Sequence, residues 1–429
     1  MDTNLFFELL QVALGRREGL SQMPSVREWE TLYEESWKQG VAGVLLSGVE
    51  KLPEEQMPPI DLKLEWIGEA QIIVEKNREM DQRCVELLEI LEKAGLRGTI
   101  LKGQGIAKLY DTAWKKEDGR TDNSDSLASR RQSGDIDVYV DCGIERAITF
   151  ARSLGQNDVS WDYKHLHLES WEDTEVEVHY HVEVFFNLIK NRRLQRWFKA
   201  HEEMLFEGRC KTDDGKRTLV TPSVELNVFY ILLHIYRHYM YTGVGLRQIV
   251  DYYFVLRQVS GFFAEQSGRA ERKFQGCPSG ESAHARDNSN KLGSPLAQSQ
   301  TSSDILHQTS DIIHQLRMDR FAAGLMWVMR EVMAMPREWM PWEPDEREGR
   351  YILAQVMEGG NFGHYSSRQT RLTGGLGYVV RVVRHSLHLM RHYPTEALWA
   401  PLWVVWHKGW KIRKLWQLRR MHDLDSSNR

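Results

Sequence analysis

The stretch Gly134-Asp135-Ile136-Asp137-Val138-Tyr139-Val140 restricts what this chain can fold into more than any other. Acids alternate with branched apolar residues, which is the period-two pattern of a β-strand. On such a strand Asp135, Asp137 and Tyr139 point one way, and Ile136, Val138 and Val140 point the other. One face must then pack on apolar partners while the other carries charge. Two carboxylates about 7 Å apart on one face repel each other, and Asp is a poor strand former. A divalent cation removes the conflict. Mg²⁺ suits the pair, because it takes one or two carboxylates together with the phosphates of a substrate.

Two further segments belong with this strand. Upstream, Gly98-Thr99-Ile100-Leu101 is a short apolar run, followed by Lys102-Gly103-Gln104-Gly105 and an opening helix from Ile106 to Tyr110. A strand, a glycine turn and a helix N-terminus offer free backbone N–H groups to a phosphate, and glycine permits its close approach. The spacing fits neither the Walker pattern nor the dinucleotide fingerprint. Downstream, residues 164–170 alternate, Glu172-Asp173-Thr174 can turn, and residues 175–181 alternate again. This predicts a β-hairpin. Val176 and Val178 face the core, and Glu175, Glu177 and His179 share the polar face. A third carboxylate from this neighbouring strand would complete a cation site.

In chain order the set is Leu-Lys-Gly-Gln-Gly, then Arg131-Gln132-Ser133-Gly134-Asp135-Ile136-Asp137, then Val176-Glu177-Val178-His179. It resembles the bacterial nucleotidyltransferase family of uncharacterised function within the DNA polymerase β-like superfamily. The resemblance covers residues 85–255 well. It extends to Leu233-His234 with His238, and to the helical segment Leu246-Arg247-Gln248-Ile249-Val250-Asp251. It implies an α+β fold: a small mixed β-sheet core flanked by helices. It also implies Mg²⁺ (or Mn²⁺) held by Asp135, Asp137 and Glu177, which would be the catalytic acids, with Glu177 as proton acceptor. Lys102, Gly103, Gln104, Arg131 and Gly134 would contact the triphosphate. Glu175 rivals Glu177 as the third acid, and His179 would orient the ligands. The superfamily often has Ser where this chain has Gln104. The implied reaction moves a nucleoside monophosphate from a nucleoside triphosphate, ATP first among them, to the hydroxyl of a small molecule or protein. The alternative is a catalytically idle nucleotide-binding or antitoxin-like regulatory protein.

Composition narrows the setting. A net charge of −4 over 429 residues is too mild for a chain that binds nucleic acid overall. Cys84, Cys142, Cys210 and Cys277 have neither zinc nor redox spacing. Reduced thiols in a cytoplasmic protein are the simplest reading. The N-terminus lacks the basic start of a signal peptide, and no run of about 18 apolar residues suggests a membrane span. Residues 1–95 read as a helical region, 96–200 as the nucleotidyltransferase core and 201–429 as a helical C-terminal domain. Polar, aperiodic stretches at about 111–130 and 264–303 read as flexible insertions. His234 and His238 sit one turn apart on a helix without a third ligand, so they read as a packed or substrate-facing helix side.

The far C-terminus stands apart. Between Arg381 and Arg420 lie nine Lys or Arg and one acid, Glu396, interleaved with Trp399, Trp403, Trp406, Trp410 and Trp416. A core-packing helix with a basic outer face is the plainer reading. Weak contact with an anionic membrane surface is the other.

Overall fold

Strand-forming alternation is concentrated in the middle of the chain, and helical spacing occupies both ends. The computed structural model describes residues 3–118, 126–171, 174–212, 215–274, 302–361, 380, 383–384 and 386–427. Helices α1 (Thr3–Ala13), α2 (Val26–Lys38), α3 (Ala42–Val49) and α4 (Ile60–Lys93) lead to β1 (Gly98–Ile100). α5 (Gln104–Asp118), β2 (Ile136–Val140), α6 (Ile144–Ser153), β3 (His165–Trp171) and β4 (Thr174–His179) follow. After α7 (Leu188–Ala200) comes a small hairpin, β5 (Gly208–Lys211) and β6 (Thr218–Thr221). The remainder is helical: α8 (Val224–Tyr241), α9 (Leu246–Phe274), α10 (Ser302–Gln315), α11 (Asp319–Met333), α12 (Glu346–Gly359) and α13 (Pro394–Ser427). The fold is α+β, a small mixed sheet with helical N- and C-terminal regions.

The four-stranded sheet has the order β1-β2-β4-β3. β1 runs antiparallel to β2, β2 parallel to β4, and β4 antiparallel to β3. The apolar face carries Ile136, Val138 and Val140 from β2, Val176 and Val178 from β4, and Leu166 and Leu168 from β3. Cys84, Leu87 and Leu91 of α4 and Ala147, Ile148 and Ala151 of α6 cover it. Each buried aliphatic side chain contributes roughly 1.5–3 kcal/mol. That packing fixes the register, since a slip of one residue would turn the acids inward.

The helical regions at the two ends of the chain share one core. Buried residues from Leu5 to Ala70 and from Leu226 to Ala397 form a single apolar cluster. α1 packs on α3 and on α11, and Gln11 Nε2 donates to the Glu331 carbonyl at 3.2 Å.

The expected insertion at 111–130 is narrower than the composition suggested. α5 continues to Asp118, and Leu127, Ala128, Ser129 and Arg130 are buried. Residues 119–125 lie outside the described residues. α9 likewise runs to Phe274, and 275–301 lie outside the described residues, Cys277 among them. Cys84, Cys142 and Cys210 are free thiols.

The segment leading into Asp135 is clamped from two sides. Asn77 Nδ2 on α4 donates to the carbonyls of Ser129 (2.6 Å) and Arg131 (2.7 Å). On α3, Gly43 lets the Arg130 carbonyl approach so closely that a Cβ would stand 2.2 Å from its oxygen. Backbone, not a movable side chain, occupies that space. Gly43→Ala should therefore cost about 1–3 kcal/mol or more, read as a lowered urea midpoint. An unchanged midpoint would contradict the close packing of α3 on this loop.

The Trp-rich α13 lies with one side against the sheet region. Trp403, Trp406 and Trp410 meet Tyr163 edge to face at 5.1–5.5 Å, and Trp403 stacks on Phe186 at 5.1 Å. Lys411 Nζ donates to the Trp161 carbonyl at 2.8 Å, and Lys414 pairs with Glu145. These three tryptophans are packing residues.

Candidate active site

The polar face of the sheet brings the expected acids together. In the parallel β2–β4 ladder Asp137 stands opposite Glu177 and Tyr139 opposite His179. Period-two alternation then aims both carboxylates to the same side. Asp135, just before β2, joins them. One carboxylate oxygen from each of Asp135, Asp137 and Glu177 falls within 4.8 Å of the others. Glu175 remains exposed and belongs to neither group of clustered ligand atoms found among the described residues.

Lys102 extends from the turn after β1 into this acidic cluster. Its Nζ lies 2.6 Å from Asp137 Oδ2 and 3.2 Å from Asp135 Oδ1. Gly103 makes the turn possible with φ +61°, a left-handed conformation that side chains disfavour. The Leu101 N–H bonds the Asp137 carbonyl at 2.9 Å, locking the turn to β2. His179 closes the other side. Its Nε2 is 2.9 Å from Asp137 Oδ1 and 3.1 Å from Glu177 Oε2. Both neighbours only accept, so this nitrogen carries a proton shared between them.

The electrostatics follow from these contacts. Burial favours the neutral form of Asp137, but Lys102 and the His179 hydrogen bond outweigh it and hold the carboxyl at about 2. Burial likewise opposes charge on Glu177, and the bond from His179 together with His165 keeps it well below the usual carboxylate range. For Lys102 burial opposes the ammonium, while Asp137 and Asp135 raise its pKa above the ordinary value. His179 is raised too: its bonds to Asp137 and Glu177 overcome burial and the repulsion of Lys164. His165 goes the other way, pushed down to about 3 by burial and by its neighbour His179. Asp137 and Glu177 are thus ionised at neutral pH.

A cleft opens beside Lys102, Gly103 and Asp135, and its far wall comes from α8 and α9: His234, Arg247 and Asp251. Arg131 also lines the cleft, but its Nε and Nη2 donate to the two oxygens of Asp251, both at 2.7 Å. Tyr110 donates to the same carboxylate at 2.7 Å. Arg131 is therefore a buried bidentate ion pair joining the loop before β2 to α9. Gln104, expected at the triphosphate, is turned away from the cleft. It is buried, and its Nε2 bonds Asp81 Oδ1 at 2.7 Å and the Asn77 carbonyl at 3.2 Å. Its amide is drawn to the α4 acceptors, so this position anchors α5 to α4. Gly134 does border the cleft. A Cβ there would stand 3.5 Å from Arg247 Nη1.

The family model for an uncharacterised nucleotidyltransferase matches residues 25–117 and 126–272, more than half of the chain. The chain belongs to this family. The match is interrupted where the polar run 118–125 lies. No curated protein and no solved structure matches the chain. Membership in the nucleotidyltransferase family supports nucleotidyl transfer as the activity.

In this family member, several contributors around the cleft go beyond the residues that the sequence motifs carry. Arg247 donates to the carbonyls of Gln132 (3.0 Å) and Ser133 (3.2 Å), holding the approach to Asp135. Burial and the nearby Arg131 lower its pKa to about 10. The 246–251 segment signalled its presence without indicating which side chains reach the cleft. Glu183 is buried with Arg237 Nε at 3.2 Å, His234 Nδ1 at 3.4 Å and Lys164 Nζ at 3.5 Å. His234 is thus tied to Glu183 on one side while lining the cleft on the other. A second cluster, His165, Glu177 and His179, also gathers ligand atoms within 4.8 Å and shares Glu177 with the first.

Proposed function

We propose that this chain transfers a nucleoside monophosphate from a nucleoside triphosphate to a hydroxyl acceptor, using Mg²⁺ or Mn²⁺. The observation that carries the reading is the convergence of Asp135, Asp137 and Glu177 around Lys102, with Asp135 and Lys102 lining a cleft. Three hard oxygen donors fit Mg²⁺ or Mn²⁺. The Lys102 ammonium sits between Asp135 and Asp137, so this cluster already accommodates positive charge.

A divalent cation held by Asp135, Asp137 and Glu177 would neutralise phosphate charge and lower the pKa of the acceptor hydroxyl. The side chains do the rest. Lys102, at the glycine turn, presents an ammonium to the triphosphate. Gly103 keeps the backbone open to close approach. Glu177, ionised through its bond from His179, accepts the proton from the acceptor hydroxyl as that oxygen attacks the α-phosphorus and pyrophosphate leaves. His179 positions Asp137 and Glu177 relative to each other. The acceptor, a small molecule or a protein, would enter from the side of α8 and α9.

The test is thermal stability with each of the four triphosphates and Mg²⁺, followed by pyrophosphate release across acceptor pools. Ligand at a hundredfold its dissociation constant should stabilise the protein by about 2.7 kcal/mol. Asp135→Asn should remove the Mg²⁺-dependent part. No shift with any triphosphate, with or without metal, would sink the proposal. A shift without pyrophosphate release would instead indicate the idle nucleotide-binding alternative.

A further inference from the structure

With three tryptophans of α13 turned inward, the opposite side of the helix shows an unexpected pattern. Leu398, Leu402, Val405, Ile412 and Trp416 have 58–72% of their surface exposed. Gly409, also exposed, sits between Val405 and Ile412 with no atom near its Cβ direction. The positions 398, 402, 405, 409, 412 and 416 alternate steps of four and three. This is the spacing of one continuous apolar stripe along a helix. It extends about 27 Å at the helical rise. Scattered surface leucines are ordinary, but an uninterrupted apolar stripe of this length marks an interaction site. Among the described residues none covers it.

The charges around the stripe say what could. From Ala397 to Arg420 the chain has six Lys or Arg and no acid, in a protein of net charge −4. Lys411 and Lys414 are engaged with the sheet region. Lys408 borders the stripe on one side, Arg413 and Arg420 on the other, and all three are exposed. On a helical wheel of 100° per residue they flank the apolar positions at roughly 40–80°. A second copy docked stripe to stripe would bring these cations against their own kind. A surface that is apolar within and anionic at its rim satisfies both features. No helix among the described residues is long and apolar enough to cross a membrane, so the element would lie on the bilayer and not through it.

We propose that the outer face of α13, with Leu402, Val405, Ile412 and Trp416 at its centre and Lys408 and Arg413 at its edges, is a docking face for an anionic lipid bilayer. This goes beyond the catalytic proposal and does not rest on it. Trp416 is the tryptophan on this face, because Trp403 is buried and Trp406 and Trp410 are half-buried, all three packed edge to face on Tyr163.

The experiment is co-sedimentation of the full chain with vesicles of phosphatidylcholine alone, or of phosphatidylcholine with phosphatidylglycerol. The chain should pellet with the anionic vesicles, and less so at high salt. The double variant Val405→Asp with Ile412→Asp should lose binding at least about tenfold. Its melting temperature should stay unchanged, since both side chains already face solvent. Lys408→Glu with Arg413→Glu should lose the preference for anionic over neutral vesicles by at least about tenfold. Three outcomes would overturn the proposal. One is equal or absent binding to both vesicle types. Another is binding that survives the Val405→Asp and Ile412→Asp changes. The third is a wild-type dimer in solution that those changes dissociate, which would make a second copy the occupant.

Discussion

Asp137→Asn is expected to slow pyrophosphate release by about 10³-fold or more while the protein stays folded. Asn preserves the volume of a fully buried side chain and removes one charge from the centre of the cluster. Asp137 is the residue that touches both resident partners, Lys102 on one oxygen and His179 on the other. Without its charge, cation affinity falls and the remaining acids hold the Lys102 ammonium less firmly. Stability should change by only about 1–3 kcal/mol, because Asp135 still pairs with Lys102. The rate is read from pyrophosphate release with saturating Mg²⁺, and the fold from circular dichroism. A variant that keeps a tenth of the wild-type rate would place the metal elsewhere and remove the basis for the proposed chemistry.

Glu183→Ala is expected to be the most destabilising single change in the region, by about 3–5 kcal/mol. Glu183 is fully buried among Lys164, Arg237 and His234. Deleting the carboxylate leaves positive charge in the interior without compensation. Burial works against its ionised form, but Arg237 and Lys164 more than offset this and depress its pKa well below the ordinary value. A depressed carboxyl stabilises the fold above its unfolded pKa, near 4.5, and that contribution is lost as pH falls through the folded value. Urea titrations below about pH 4.5 should therefore show wild type losing stability faster than Glu183→Gln. Parallel pH profiles for the two would show that the carboxylate is not what holds Lys164 and Arg237 in place.

Much of the site was legible because strand alternation is a strong local signal. Asp137 and Glu177 were assigned to one face from the apolar residues between their neighbours, and the observed ladder pairs them directly. The β3–β4 hairpin was legible for the same reason. What stayed hidden depends on partners distant in sequence. Nothing around Gln104 announces that Asp81, 23 residues earlier, will capture its amide. Arg131 can be read as a triphosphate contact or as a structural ion pair, and its partner Asp251, which accepts from Nε and Nη2, lies 120 residues later. Gly43 looks like any small helical residue until the Arg130 carbonyl arrives beside it. On α13 the tryptophans drew the eye, although the exposed Leu, Val and Ile between them carry the periodic stripe.

The joint core of the chain's two ends has a consequence for biosynthesis. α1 rests on α11, with Gln11 bonded some 320 residues downstream. α1 can pack on α3 early, but its contacts with α11 wait until the ribosome has delivered Asp319–Met333. At about 5–20 residues per second, that wait lasts tens of seconds. A truncation that removes α11 is expected to leave the apolar side of α1 without that partner, read as loss of soluble protein on expression.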